Sequence, residues 1–165
     1  MTRRLFLFAL VLTASGAFAA DHGSVQVEPA HLQGPRPLAA QTASAVVRDY
    51  LQAWESLSSA MEQNRPDLLD QNFVGLAKEK LVAAVDDQAR LGVRAQYRER
   101  SHDIRITFYS PDGLSIQLVD TIEYDEQLLD HEKVITVQPV HARYVAVLTP
   151  TEVQWKVRVL QAEPL

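Results

Sequence analysis

A carboxylate inside an alternating apolar segment is the most promising chemical group in this sequence. Asp120 has the same parity as Leu118 and Ile122, so it is predicted to face the apolar side of a strand. Burial among apolar side chains raises a carboxyl pKa and suits the group to general acid or base chemistry. In the alternative interpretation, Asp120 lies at a solvated rim or pairs with an arginine. Asp120 is therefore a weak catalytic candidate.

Two histidines offer further acid–base groups. His102 and Asp103 are adjacent, so they would point to opposite faces if both belonged to a strand. We therefore place them at the turn before the strand, with His102 facing solvent. His141 and Arg143 share one strand face, which is predicted to be open to solvent or to a partner.

Several aromatic side chains have the spacing to line a ligand cavity. Tyr50 and Trp54 belong to the first predicted helix, and Tyr97 and Tyr124 belong to the sheet region. The predicted ligand-binding set comprises Tyr50, Trp54, Tyr97, Leu118, Asp120 and Tyr124. If the domain is an enzyme, Asp120 is the expected acid–base residue, with Tyr97 or Tyr124 as the hydrogen-bond donor of the site. The alternative is that these aromatic residues only pack in the core.

The sequence gives no support for metal or cofactor chemistry. It contains no cysteine and five histidines, and no two histidines stand four residues apart. The acidic stretch at 125–132 lacks the spacing and the glycine of a calcium loop. It has no Walker glycine loop, dinucleotide fingerprint or G-x-S-x-G elbow. We therefore predict neither a metal site nor another cofactor.

Helical periodicity covers the first half of the region that is predicted to fold. Apolar residues recur at spacings of three and four over 47–61, which predicts an amphipathic helix with Thr42 or Ser44 as its N-cap. Pro66 is well placed to begin a short second helix. A third helix is predicted over 77–91. Its inward residues are expected to be Leu81, Val82, Val85, Ala89 and Leu91.

After Gly92, a residue suited to ending a helix, the hydrophobic period changes to two. The alternation predicts a hairpin over 103–125 and a further, shorter strand over 93–99. Residues 126–133 are expected to form an acidic connection. A long strand follows over 134–148, with Pro139 at a bulge or an edge position. The inward residues of a final strand are predicted to be Val153, Trp155, Val157 and Val159. Trp54 and Trp155 are the expected core anchors.

Helices followed by an antiparallel sheet predict an α+β domain with the helices on one face. Short patterns in this region resemble the nuclear transport factor 2-like superfamily, which is cystatin-like and cone-shaped. Residues 50–55 (YLQAWE) are similar to its first helix, with the following turn displaced to 64–67 (NRPD). Residues 144–148 (YVAVL) and 155–157 (WKV) are similar to its final hairpin. The resemblance covers about 42–162 and implies N-terminal helices packed on a curved antiparallel sheet.

The N-terminus predicts export. Arg3 and Arg4 precede an apolar run, and Ala17-Phe18-Ala19 fits the cleavage rule, so residues 1–19 are predicted to be a signal peptide. The apolar run is shorter than the roughly 20 residues that span a bilayer, although an uncleaved anchor is the alternative. The general secretory route is favoured over the twin-arginine route, and the expected location is periplasmic or secreted.

The mature chain is predicted to be acidic. Cleavage after residue 19 removes two arginines and no acidic residue, which changes the formal net charge from −5 to −7. This charge argues against nonspecific binding to nucleic acid or to anionic membrane surfaces. Residues 20–41 contain several prolines and glycines and predict a flexible tether, and 42–165 predict a single α+β domain without a stable membrane anchor.

Two classes of function follow from these observations. In the first, the domain is a noncatalytic binding or assembly module of the cell envelope that takes a small apolar ligand or an envelope protein. In the second, it is a small isomerase, dehydratase or hydrolase with Asp120 inside the cone. The superfamily contains both classes. We favour the binding module, because catalysis usually needs several convergent groups. Homodimerisation through the sheet is a further expectation.

Overall fold

The computed structural model describes residues 23–30, 32 and 34–165, so the predicted signal peptide lies outside the described part of the chain. In chain order, the elements are β1 (Ser24–Val27), α1 (Ala40–Gln63), a 3₁₀ helix (Pro66–Leu69), α2 (Gly75–Arg90), β2 (Val93–Tyr109), β3 (Ile116–Asp130), β4 (Lys133–Pro150) and β5 (Trp155–Glu163). Within the described residues, no helix has the length and apolar character needed to cross a membrane.

One mixed sheet carries the helices. Its strand order is β1-β2-β3-β4-β5, in which β1 runs parallel to β2 and the remaining neighbours are antiparallel. The predicted α+β class is confirmed. The segment predicted as a tether contains β1 and the first two residues of α1. The short alternating sequence of β1 pairs through its backbone with Ser101–Ile104 of β2.

Helix α1 presents its apolar stripe to the sheet, as the spacing of its residues predicts. Its buried residues are Val46, Asp49, Tyr50, Ala53, Trp54, Leu57, Ala60 and Met61. The prediction of Thr42 or Ser44 as the N-cap is wrong, because the helix already begins at Ala40, after an extended Ala39 without a side-chain cap. Asn64 ends the helix in the left-handed conformation, which asparagine tolerates better than most residues.

Helix α2 buries a narrower stripe than its sequence predicts. Ala77 and Val85 are buried, but Ala89 is exposed and Leu91 keeps 77% of its surface accessible. The prediction that these two residues face inward is wrong. Gln88 takes the inward position instead, and its amide donates hydrogen bonds to the Met61 carbonyl and to Asn64 Oδ1. The short helix that begins at Pro66 is confirmed as a single 3₁₀ turn.

The strands are longer than the alternation predicts. A single strand, β2, replaces the two segments predicted over 93–109, and the residues predicted as an acidic connection belong mostly to β3 and β4. Only a tight turn separates those strands, with His131 in the left-handed conformation. Charged residues lie in these strand ends because their surroundings are solvated.

Two residues near the start of β5 are less buried than predicted. Val153 does not face the core, because it lies in the turn before the strand and keeps 85% of its surface accessible. Trp155 is half-buried and packs against the edge of the core. Trp54 is buried in the core as predicted. Pro139 lies in the part of β4 that pairs with β3 and not with β5, which agrees with the predicted edge position.

Candidate functional site

A β-bulge brings two polar side chains of β2 to the same face of the sheet. The pairing of β2 with β3 shifts register between Glu99 and Ser101, so Arg100 is the extra residue. Residues three apart in a regular strand face opposite sides, but the bulge turns both Glu99 and His102 inward. Arg100 itself faces outward and pairs with Asp125.

The N-terminal strand covers the backbone of this bulge. Gly23 has a φ of +62° and approaches so closely that a Cβ atom there would lie 2.2 Å from the Arg100 carbonyl oxygen. Ser24 Oγ donates a long hydrogen bond of 3.5 Å to the same oxygen. Position 23 needs glycine for two reasons. A side chain there would clash with the Arg100 carbonyl, and residues with a side chain rarely adopt a φ of +62°.

The bulge completes a buried polar network of Tyr50, Glu99, His102 and Asp120. His102 Nδ1 lies 2.7 Å from Asp120 Oδ2, and His102 Nε2 lies 3.0 Å from Glu99 Oε2. The Tyr50 hydroxyl donates to Asp120 Oδ2 at 3.0 Å. His102 and Asp120 have 1% and 0% of their surfaces accessible. The network therefore joins α1, β2 and β3 inside the core.

The charges of this network keep His102 protonated. Burial alone lowers the pKa of an imidazole, but hydrogen bonds and charges from Asp120 and Glu99 outweigh this effect and raise the pKa of His102 to about 9. At neutral pH, both ring N–H groups therefore donate to carboxylates. Burial and the neighbouring Asp120 charge raise the pKa of Tyr50 well above its ordinary value, so its hydroxyl stays a neutral donor.

The structure confirms one sequence prediction about this network and corrects another. Asp120 faces the apolar interior, as its parity predicts. His102 is not at a solvent-facing turn, because it belongs to β2 and its parity with the buried Ile104 turns it inward. The tyrosine that donates to Asp120 is Tyr50. The remaining oxygen, Asp120 Oδ1, is buried and accepts no hydrogen bond from the described residues.

Beside the network lies an open volume of about 140 Å³, which we call the aromatic cleft. Trp54 forms the boundary between the two, with its ring 5.8 Å from the His102 ring in an edge-on arrangement. The residues that line the aromatic cleft are Trp54, Leu57, Met61, Leu81, Tyr97, Tyr124, Tyr144 and Leu160. Helices α1 and α2 and strands β2 to β5 all contribute to it, so the whole domain positions its walls.

The hydroxyls of Tyr97 and Tyr124 in the aromatic cleft are neutral. Burial and the charge of Glu126 raise the pKa of Tyr97, with Tyr144 contributing further. Burial and hydrogen bonding to the Tyr144 hydroxyl are the main causes that raise the pKa of Tyr124. These groups offer hydrogen bonds to a ligand without carrying charge.

The predicted ligand-binding residues divide between these two places. Trp54, Tyr97 and Tyr124 line the aromatic cleft, whereas Tyr50 and Asp120 lie in the buried network. Leu118 is fully buried in the core and does not line the aromatic cleft. Their role in binding stays a prediction. Tyr144 was not predicted as a lining residue. Its parity nevertheless places it on the face of β4 that is opposite to the face of His141.

A second buried carboxylate, Asp49, was also missed. Its Oδ2 accepts a 2.8 Å hydrogen bond from the Trp155 backbone N–H, and its Oδ1 pairs with the Arg48 guanidinium at 2.9 Å. Asp49 therefore fixes the start of β5 against α1. No signal in the helical pattern reveals this contact, since its partner is a backbone group more than a hundred residues away.

Comparison with known proteins places this arrangement in a known fold. No protein-family model matches the chain, and no curated protein matches its sequence. Among solved structures, the intermembrane space region of the chloroplast protein ARC6 matches with a TM-score of 0.63 and 19% identity, over 78% of this chain and 98% of that one. The "Putative Scytalone Dehydratase" of Novosphingobium aromaticivorans matches with a TM-score of 0.53 and 13% identity, over 76% of this chain and 89% of that one.

A third structure carries the name of the fold. It is a "putative dehydratase from the NTF2-like family" of Streptomyces avermitilis, with a TM-score of 0.51 and 12% identity, over 74% of this chain and 98% of that one. This chain has the nuclear transport factor 2-like fold. At these identities the likeness establishes the fold alone, and one fold can carry unrelated functions.

Proposed function

We propose that this protein is an exported, noncatalytic binding module of the cell envelope, and that its aromatic cleft holds a small, largely apolar group. The state of His102 carries this proposal. Both ring nitrogens are engaged by carboxylates inside the core, whereas a general base needs a free lone pair within reach of its substrate. The open volume beside the network is lined by aromatic and aliphatic side chains.

The buried network then has a positioning role. Tyr50 and Trp54 are four residues apart on α1, so they lie on the same helix face. The Tyr50–Asp120 hydrogen bond fixes this face of α1 against the sheet. The hydrogen bonds of Asp120 Oδ2 and of both His102 ring nitrogens join three elements and so help to hold the core in one arrangement. The rigid wall of the aromatic cleft lowers the entropic cost of ordering a ligand.

A small acid–base enzyme is the second candidate, and one observation favours it. Asp120 Oδ1 is buried and has no hydrogen-bond partner among the described residues, so it would be the oxygen that takes a proton from a substrate. Two of the structural neighbours bear names that assign a dehydratase activity, whereas the ARC6 region is named only for its compartment. The fold is compatible with either function.

The binding proposal is tested by blocking the aromatic cleft. Leu81 lines it from α2, and Leu76 lies on the same helix with 48% of its surface accessible. Leu81→Trp fills the cleft, and Leu76→Trp is the matched control. Thermal-shift screening of lipids, steroids, small acids and envelope proteins should find a compound that stabilises the wild type and Leu76→Trp but not Leu81→Trp. Equal stabilisation of all three proteins would contradict the proposed site.

Turnover distinguishes the two candidates. If the wild type converts a bound compound and Asp120→Asn lowers the rate by about 10² to 10⁴, as expected for a lost acid–base group, the protein is an enzyme. We expect no conversion, and an altered affinity or stability in Asp120→Asn. Chromatography of each screening hit after prolonged incubation with the protein measures this directly.

A further inference from the structure

We propose that the group held in the aromatic cleft is a small organic cation, of the quaternary or alkylated ammonium class, and that Glu126 is its counter-ion. This inference rests on the proposed binding function and specifies its ligand.

The rings of the aromatic cleft form walls of different orientation. The ring centroids of Trp54 and Tyr144 are 5.4 Å apart, with an interplanar angle of 78°, and those of Trp54 and Tyr124 are 6.2 Å apart, with an angle of 52°. The ring centroids of Tyr97 and Tyr124 are 5.3 Å apart, with an angle of 64°. The rings meet edge to face or tilted and not as a flat stack, and all four line the aromatic cleft. The face of an aromatic ring carries negative electrostatic potential, so a cleft lined by four such rings favours a cation that reaches a ring face.

Glu126 lies beside two of these walls. It is the direct cross-strand partner of Tyr97 and follows Tyr124 by two residues on β3. All three side chains therefore lie on the concave face of the sheet. The charge of Glu126 also contributes to the raised pKa values of both tyrosines, which reflects its proximity to their hydroxyls.

Glu126 is half-buried, but no hydrogen bond or ion pair connects it to any described residue. Its neighbours are satisfied: Glu99 bonds to His102, Glu62 accepts from Gln96, and Asp125 pairs with Arg100. No lining residue of the aromatic cleft is cationic. A partly desolvated carboxylate is costly without a positive partner, and no cationic side chain of the described residues forms an ion pair with Glu126. A bound cation would provide it.

The size of the aromatic cleft restricts the cation. Its volume of about 140 Å³ is below the roughly 300–1,000 Å³ that is usual for drug-sized ligands. The cleft therefore suits a compact head such as a trimethylammonium group. The neutral Tyr97 hydroxyl is left to bond any polar substituent, such as an alcohol, that the cation carries.

The proposal is tested with choline and with 3,3-dimethylbutan-1-ol, in which carbon replaces the charged nitrogen without changing the shape. Isothermal titration calorimetry of the full mature protein should show choline binding at least about tenfold more tightly than the alcohol. Glu126→Gln should weaken choline binding by about fivefold, as for a partly screened ion pair, and should leave the affinity for the alcohol unchanged. Glu123→Gln is the matched control, because Glu123 lies on the same strand but on the exposed face.

Three results would overturn the proposal: no choline binding at millimolar concentration, equal or tighter binding of the alcohol, or a choline affinity that Glu126→Gln leaves unchanged. If choline does not bind but a neutral compound does, and Leu81→Trp abolishes that binding, the cation proposal fails and the binding function stands. If no compound binds in a manner sensitive to Leu81→Trp, the binding function itself fails. Urea unfolding of Glu126→Gln checks that the variant is folded, and we expect its stability to equal or exceed that of the wild type.

Discussion

The buried imidazole of His102 should make the stability of this protein depend on pH. Its pKa in the folded protein is about 9, against an ordinary value of 6.5. Because protonation is favoured in the folded state, the contribution to stability is fully present below about pH 6.5 and is lost as the pH rises through about 9. One pKa unit corresponds to about 1.36 kcal/mol. The difference between a pKa of 6.5 and one of about 9 therefore contributes about 3 kcal/mol to the free energy of unfolding.

This prediction is measured by urea unfolding at pH values from 6 to 9. The window ends below the ordinary pKa values of tyrosine and lysine. The free energy of unfolding of the wild type should fall by about 3 kcal/mol across it. His102→Gln removes the titrating group, so its free energy of unfolding should be lower than that of the wild type at pH 6 but much less dependent on pH.

His141→Gln provides the control, because His141 is exposed on β4 and its loss should preserve the pH dependence of the wild type. The reasoning is refuted if the difference in stability between the wild type and His102→Gln stays constant from pH 6 to pH 9. That result would mean that the two carboxylates do not hold the imidazole in its charged form.

Three further predictions follow from the core and from the N-terminus. Trp54→Ala should lower the free energy of unfolding in urea by about 3–5 kcal/mol, whereas Trp155→Ala should lower it by less because Trp155 is half-buried. Equal losses would contradict the difference in burial between the two tryptophans. Asp49→Ala should cost about 1–3 kcal/mol, since it leaves the Trp155 backbone N–H without its acceptor, and Asp49→Asn should retain part of this amount; wild-type stability of Asp49→Ala would show that the contact contributes nothing. N-terminal sequencing of protein from the envelope fraction should begin at Ala20, and an intact Met1 would rule out cleavage.

The helical spacing of apolar residues and their alternation along strands predict much of this fold. The spacing of three and four along α1 places Tyr50 and Trp54 on the buried face, and the alternation along β3 turns Asp120 inward. These predictions succeed because a regular helix or strand fixes the direction of each side chain. Asp120 is predictable in this sense, although its partners are not.

Irregular positions explain why the rest could not be predicted. The extra residue at Arg100 reverses the parity of β2, so alternation carried back from the buried Ile104 turns His102 inward but places Glu99 on the wrong side. No residue type identifies this bulge, because it depends on the register with β3 and on the close approach of Gly23. Residues 126–133 are charged enough to resemble a loop, but the strands continue through most of them, since neighbouring backbones supply the hydrogen bonds.

The position of β1 has a consequence for how the sheet assembles and opens. Strands β2 to β5 lie in chain order, so each pairs with a neighbour that a short turn delivers. In contrast, Ser24 of β1 pairs with Ser101 of β2, and both helices lie between these residues in the sequence. Closing this long loop has a larger entropic cost than closing the short turns between β2 and β5. Short and solvent-accessible, β1 should detach before any other strand. Hydrogen exchange should therefore be faster at the Glu28 amide, which donates to the Ile104 carbonyl, than at the amides that join β2 to β3. Each such opening would briefly uncover the backbone of the strand segment that holds His102.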